Sequence, residues 1–198
     1  MSPKPDVSEE RKEQIIEAAT RVFLERGVQK TRMDDIVEKS GLSKGALYWY
    51  FKSKDDLIIG IVDALFEKEF KTLQDFDYNE GSAKEVLNEF VEIMIADFGR
   101  ISVLMPIFFE FFALAMRSKT IRNMFKQYFH KYMSYLEPII QRGIDSGEFR
   151  QINAYDAAIN LGALLEGTFL LKAYDPDMVE LEKHFRSGLE VFLHGIEA

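Results

Sequence analysis

Apolar residues recur every three or four positions along nearly the whole 198-residue chain, a spacing that fits helices and excludes alternating strands. Ile15, Ala18, Ala19, Val22 and Phe23 form one such stripe between a capping Ser8 and a terminating Gly27, giving a first helix over about residues 8–26. Thr31 with Asp34 reads as a capping box for a short helix from about Arg32 to Lys39. Gly41 allows a tight turn, and Ser43 caps another short helix from about Lys44 to Tyr50. Ser53 with Asp56 opens a fourth helix, whose Leu57, Ile58, Ile61, Val62, Leu65 and Phe66 make a wide apolar face. Asn79 and Gly81 mark a loop, and Ser82 with Glu85 starts a fifth helix ending near Phe98. Further helices follow over about Val103–Arg117 and Thr120–Gly143, the second expected to kink or shorten at Pro138. After a turn at Asp145-Ser146-Gly147, Asn153 with Asp156 caps a helix over about 154–173. Asp175-Pro176-Asp177 breaks the chain before a last helix ending near Ile196. The expected fold is all-α, with about nine helices and no strand.

Cysteine is absent, which excludes disulfide scaffolds, thiolate zinc sites and cysteine catalysis. The longest apolar stretch, Ile101–Met116, is interrupted by Ser102, Pro106 and Glu110, so no membrane span is expected. The opening MSPKPDVSEERKE lacks the apolar core of a signal peptide, and a cytoplasmic protein is the default expectation. The net charge of −8 is unevenly spread: residues 1–54 hold 11 Lys/Arg and 9 Asp/Glu, net +2, and the remainder holds 14 and 24, net −10. A mildly basic head therefore precedes an acidic body. The three His are too scattered for a metal site, and no cofactor is expected.

Gly41-Leu42-Ser43-Lys44-Gly45 has the spacing of a serine-hydrolase nucleophile elbow, but that elbow needs a preceding strand, and Asp35–Lys39 reads as helix. The same residues fit a DNA-recognition helix better. Ser43 offers a capped helix end to a phosphate, and Lys44 adds a cation. Gly45 and Ala46 permit close approach to base edges. Tyr48, Trp49 and Tyr50 bring hydrogen-bonding groups and apolar faces, and Lys52 and Lys54 flank the next helix start. Leu47 and Phe51 share one face and are expected in the core, since so short a helix cannot turn all its aromatics inward.

The run Thr31-Arg32-Met33-Asp34-Asp35-Ile36-Val37, followed by Gly41 to Leu57, resembles the TetR family of transcriptional regulators, densely over about residues 10–65. Arg142-Gly143-Ile144-Asp145-Ser146-Gly147-Glu148-Phe149-Arg150 resembles the loop these proteins carry before their eighth helix. The resemblance implies a three-helix DNA-binding domain over residues 1–53 and a helical ligand-binding and dimerisation domain over 54–198. It also implies repression released by a small molecule. By position, it assigns DNA contacts to Thr31, Ser43, Lys44, Gly45, Ala46, Tyr48, Trp49 and Lys54. Arg32 stands where a small hydroxyl residue is common and would contact phosphate itself; Ala46 replaces a usual Thr or Ser, and Trp49 a usual His or Tyr.

The body is rich in Phe and Met. Met94, Phe98, Met105, Phe108, Phe109, Phe112, Met116, Phe125 and Phe129 are either core or the lining of a pocket for a hydrophobic effector. Glu110 and Glu166 lie among apolar helical neighbours, each as a pocket polar group or a partly exposed acid. The resemblance implies that Ala158, Leu161 and Leu165 with Phe185, Leu189 and Phe192 lie at a homodimer interface, with packing inside one subunit as the alternative. A dimer suits a palindromic operator in double-stranded DNA, because two short helices about 34–36 Å apart read two half-sites. The function expected is an effector-responsive repressor and not an enzyme; the rival reading is a helical interaction adaptor with a vestigial helix-turn-helix.

Overall fold

The computed structural model describes residues 7–76, 78 and 80–198, without the side chains of residue 7 and residues 97–100. Asn79 and the Phe98 side chain thus lie outside the described residues. Among those described, every regular element is a helix: α1 (Val7–Arg26), α2 (Met33–Ser40), α3 (Lys44–Tyr50), α4 (Lys54–Gln74), α5 (Ala83–Val103), α6 (Met105–Arg117), α7 (Lys119–Ser146), α8 (Ala154–Tyr174) and α9 (Leu181–Ile196). A single isolated antiparallel bridge joins Phe149 and Glu197.

Local signals set most boundaries. Ser53 Oγ accepts from Asp56 N–H at 3.2 Å while the Asp56 carboxylate accepts from Ser53 N–H at 3.0 Å, the expected reciprocal box. Ser82 and Glu85 repeat it, at 3.2 and 2.8 Å. Asn153 Oδ1 accepts from Asp156 N–H at 2.9 Å. Two expectations need correction. Helix α1 starts at Val7, so Ser8 lies inside it and does not cap it. The box opening α2 sits one residue later than expected: Arg32 N–H donates to Asp35 Oδ2 at 2.7 Å, and Asp35 N–H to the Arg32 carbonyl at 3.1 Å. Helix α7 runs through Pro138 to Ser146, so the proline does not shorten it. A proline inside a helix costs about 3 kcal/mol. The buried stripe Met133, Leu136, Ile139, Ile140 and Ile144 offsets that cost, at about 1.5–3 kcal/mol for each fully buried side chain. The helix stops at Gly147, whose φ of +79° a side chain would resist.

The chain divides into two compact units, Met1–Lys68 with Val103–Asn123, and Glu69–Ser102 with Met124–Ala198. The first contains α1–α3, most of α4, and α6. Its core gathers Ile15, Ala19, Val22, Phe23, Ile36, Leu47, Phe51, Leu57, Ile58 and Val62 with Ile107, Phe108 and Phe111 of α6. Phe66 and Phe108 meet edge to face, 6.1 Å between centroids. Gln29 Nε2 donates to both carboxylate oxygens of Glu110, at 3.1 and 3.2 Å, so the acid on α6 is a partly exposed group with a partner.

In the second unit, Glu148 from the α7–α8 loop accepts from the N–H groups of Ala83 and Lys84 at 3.1 and 3.3 Å, placing a carboxylate at the positive end of α5. Lys84 pairs with Glu197, and Arg150 N–H donates to the Ile196 carbonyl at 2.8 Å, which ties the C-terminus to the same corner. Helices α8 and α9 pack closely because Gly188 leaves room for Leu164: a Cβ there would lie 2.4 Å from Leu164 Cδ2.

Candidate nucleic-acid interface

The α2–α3 turn is fixed by local hydrogen bonds. Gly41 ends α2 at φ +67°, its N–H shared between the Val37 and Glu38 carbonyls. Gln14 of α1 donates to the Ser40 carbonyl at 2.7 Å, and Ser40 Oγ donates to the Val37 carbonyl at 3.1 Å. Ser43 then caps α3, its Oγ accepting from Ala46 N–H at 3.2 Å. Helix α2 stands where the hydrolase elbow would need a strand, so Gly41-Leu42-Ser43-Lys44-Gly45 is a helix–turn–helix.

Helix α3 is anchored on one side and open on the other. Leu47 is fully buried and Phe51 nearly so, as their spacing predicted. The Phe51 ring presses on Gly60 of α4, where a Cβ would come within 2.8 Å of it. Ser43, Lys44 and Gly45 are exposed, Ala46, Tyr48 and Tyr50 half-exposed, and Trp49 is 75% exposed. An indole so open on a helix so firmly seated has no role in the core of the chain. Tyr50 OH lies 3.2 Å from Ser8 Oγ. Arg32, at the start of α2, is exposed.

Two residues expected at DNA are occupied elsewhere. Thr31 is 2% exposed, and its Oγ1 donates to the Gly27 carbonyl at 2.9 Å. Its hydroxyl therefore satisfies the orphan end of α1 instead of facing outward. The Lys54 ammonium donates to the Val28 and Gln29 carbonyls at 2.9 and 3.3 Å, tying α4 to the α1–α2 turn. Lys52, by contrast, is exposed and reaches back to the Tyr48 carbonyl at the end of α3.

Charge on this face is paired. Lys44 Nζ lies 2.7 Å from Asp34 Oδ1, and that hydrogen bond holds the ammonium pKa above its ordinary value. Asp35, one residue on, is turned to Arg26 at 2.8 Å; the Arg32 N–H, followed by the Arg26 charge, holds its carboxyl below the usual range. Lys39 pairs with Glu25 at 2.9 Å. The Lys44–Asp34 contact spans two helices and has no signature in sequence spacing.

The residues expected at the effector and at the dimer interface divide by burial. On α6, Ile107, Phe108, Phe111, Leu114 and Ala115 turn inward, and Met105 is buried too. Phe109 and Met116, seven apart, take the opposite face, where Met116 is 77% exposed. Phe129 is exposed as well. Phe112, Met94 and Phe125 are half-buried, and the Phe125 and Phe129 rings lie 5.0 Å apart. Glu166 is exposed but crowded, and desolvation raises its carboxyl pKa. Phe111, passed over in the sequence, is among the most buried side chains. A ring cluster of the second unit was also missed: Phe70 meets Tyr128, Tyr132 and Tyr135 at centroid distances of 4.9–6.4 Å, with the Lys131 ammonium 4.4 Å from the Phe70 centroid. Of the residues expected between subunits, Ala158, Leu161, Leu165, Phe185 and Leu189 are buried within one chain, and only Phe192 keeps partial exposure. A second subunit cannot cover what the α8–α9 seam has already covered.

Comparison with known proteins accords with this geometry. Residues 15–61 match the family described as bacterial regulatory proteins, tetR family, and residues 83–194 match that described as BetI-type transcriptional repressor, C-terminal. The uncharacterised HTH-type transcriptional regulator YfiR of Bacillus subtilis is 30% identical over 159 residues, 77% of this chain and 75% of that protein. A transcriptional regulator of Saccharomonospora viridis crystallised with choline superposes with a TM-score of 0.83 at 20% identity, covering 96% and 99% of the two chains. SmeT of Stenotrophomonas maltophilia in complex with triclosan gives 0.74 at 22% identity, covering 96% and 92%. The chain belongs to the TetR family of DNA-binding transcriptional regulators.

Proposed function

We propose that this chain is a homodimeric repressor that inserts α3 of each subunit into successive major grooves of a palindromic operator and leaves it when a small effector binds. Residues 1–53 are the DNA-binding part, and residues 54–198 the effector-binding and dimerising part. The observation that carries the reading is the polarity of α3: Leu47 and Phe51 anchor it, while Ser43, Lys44, Gly45 and Trp49 stand open. Arg32, Ala46, Tyr48 and Tyr50 complete the contact surface. The acidic remainder of the chain, net −10 beyond residue 54, is repelled by DNA and turns the basic head toward it. The protein works in the cytoplasm, and among the described residues no helix is long and apolar enough to cross a membrane.

For the dimer, the supporting surface is the outer stripe of α8, with Tyr155, Ile159, Ala163, Leu170 and Tyr174 exposed on one side of the helix, and Val191 exposed on α9. These replace the buried seam residues as the self-association face. The effector is a small, largely apolar molecule bound by the Phe- and Met-rich body, and it acts by preferring the conformation in which the heads no longer match the grooves. A choline-like cation is a second reading, favoured by the tyrosine-rich cluster that already seats an ammonium on Phe70 and by the burial of neighbouring Glu69.

Selection from a random-sequence duplex library tests the function. The expected result is enrichment of a palindrome, bound with an affinity that falls steeply with salt. Failure to enrich any sequence contradicts the reading. Native mass spectrometry of the purified protein, with triclosan and choline as probes, separates the two effector readings by which one is retained.

A further inference from the structure

Lys44 and Asp34 open consecutive helices, ten residues apart, and meet at 2.7 Å with side chains 62% and 67% exposed. A salt bridge so exposed adds little to stability, and it sits at the start of α3. Two other acids of this region meet cations of their own: Asp35 meets Arg26, and Glu25 meets Lys39. Asp34 sets its carboxylate against Lys44, the cation at the start of α3.

We propose that Asp34 is a specificity-determining residue: by neutralising Lys44 and fixing its ammonium, it turns a free cation into a directed donor. The inference rests on the DNA-binding reading above. A free lysine attracts the phosphates of every duplex and so raises affinity for all sequences alike. A lysine held by Asp34 adds almost no net charge and keeps two N–H donors, aimed where α3 enters the groove. The pair therefore gives up non-specific attraction and keeps the contact that only a correctly seated α3 can use.

The test compares Asp34→Asn with the unaltered chain on two probes, the operator selected from the random library and an unrelated duplex of equal length. Circular dichroism controls for folding, which so exposed a side chain leaves intact. The variant should bind the unrelated duplex roughly threefold to tenfold more tightly at low salt, with a slope of log affinity against log salt steeper by about 1.8, about 0.9 for the Lys44 freed in each subunit. Operator affinity should stay level or fall, so the selectivity ratio drops by the same factor. In Asp34→Asn/Lys44→Ala the gain should vanish, because no lysine is left to free. An unchanged slope, an unchanged selectivity ratio, or a gain that persists without Lys44 overturns the proposal while the DNA-binding reading stands. If the unaltered chain binds neither duplex in a salt-dependent way, both fail.

Discussion

Trp49→Ala should separate DNA binding from folding. The indole is 75% exposed, and substitutions at such open positions usually change stability by no more than about 0.5 kcal/mol. Two residues earlier, Leu47 has no exposed surface, and Leu47→Ala should cost about 2–5 kcal/mol through lost burial and a cavity. On DNA the order reverses. Loss of a base-edge contact costs about 1–3 kcal/mol, roughly 5- to 150-fold in affinity per half-site, and a dimer loses it twice. Urea unfolding followed by circular dichroism measures the first quantity, and anisotropy of a labelled operator the second. Trp49→Ala should unfold with the unaltered midpoint and bind far more weakly. A Trp49→Ala protein destabilised by more than about 1 kcal/mol, or one that binds the operator unchanged, would refute the assignment of α3 as seated on one face and reading on the other.

Three further outcomes follow from the geometry. Gly143→Ala would place a Cβ 2.2 Å from the Phe149 ring and 2.9 Å from Ala83 Cβ, and should destabilise the chain by about 1–3 kcal/mol or more in urea unfolding. Glu85 has its carboxyl held below the ordinary value of 4.5, first by the Ser82 N–H and then by the Ser82 hydroxyl. A depressed folded-state pKa contributes stability above the unfolded value and loses it as pH falls through the folded one. Glu85→Gln should therefore lower the urea midpoint at neutral pH, and the difference should close below pH about 4; a difference independent of pH argues against the capping role. Ile159→Lys, on the outer stripe of α8, should yield a folded monomer in light scattering, whereas a dimer of unaltered strength would remove that stripe from the interface.

What could be read in the sequence depended on whether the deciding interaction was local. Ser43, Ser53, Ser82 and Asn153 bond within three residues of themselves, so the starts of α3, α4, α5 and α8 followed from their caps. Thr31 and Lys54 looked equally suited to phosphate, but carbonyls at the end of α1 and in the turn beyond it claim both. Only the folded head brings those groups within reach. Helix α6 is apolar nearly all round, so its spacing could not tell the buried Phe108 and Phe111 from the outward Phe109 and Met116. On α8 and α9, periodicity marked an apolar face without saying what covers it. The seam between the two helices took Leu161, Leu165, Phe185 and Leu189, and a second, weaker stripe stayed outside.

The most direct test of α3 delivered twice to DNA is protection of guanine N7 from methylation, since that atom faces the major groove. On the selected operator, two protected patches should appear about 34–36 Å apart, related by the palindrome, and both should vanish with Trp49→Ala. A single patch, or protection that Trp49→Ala leaves intact, would contradict the account.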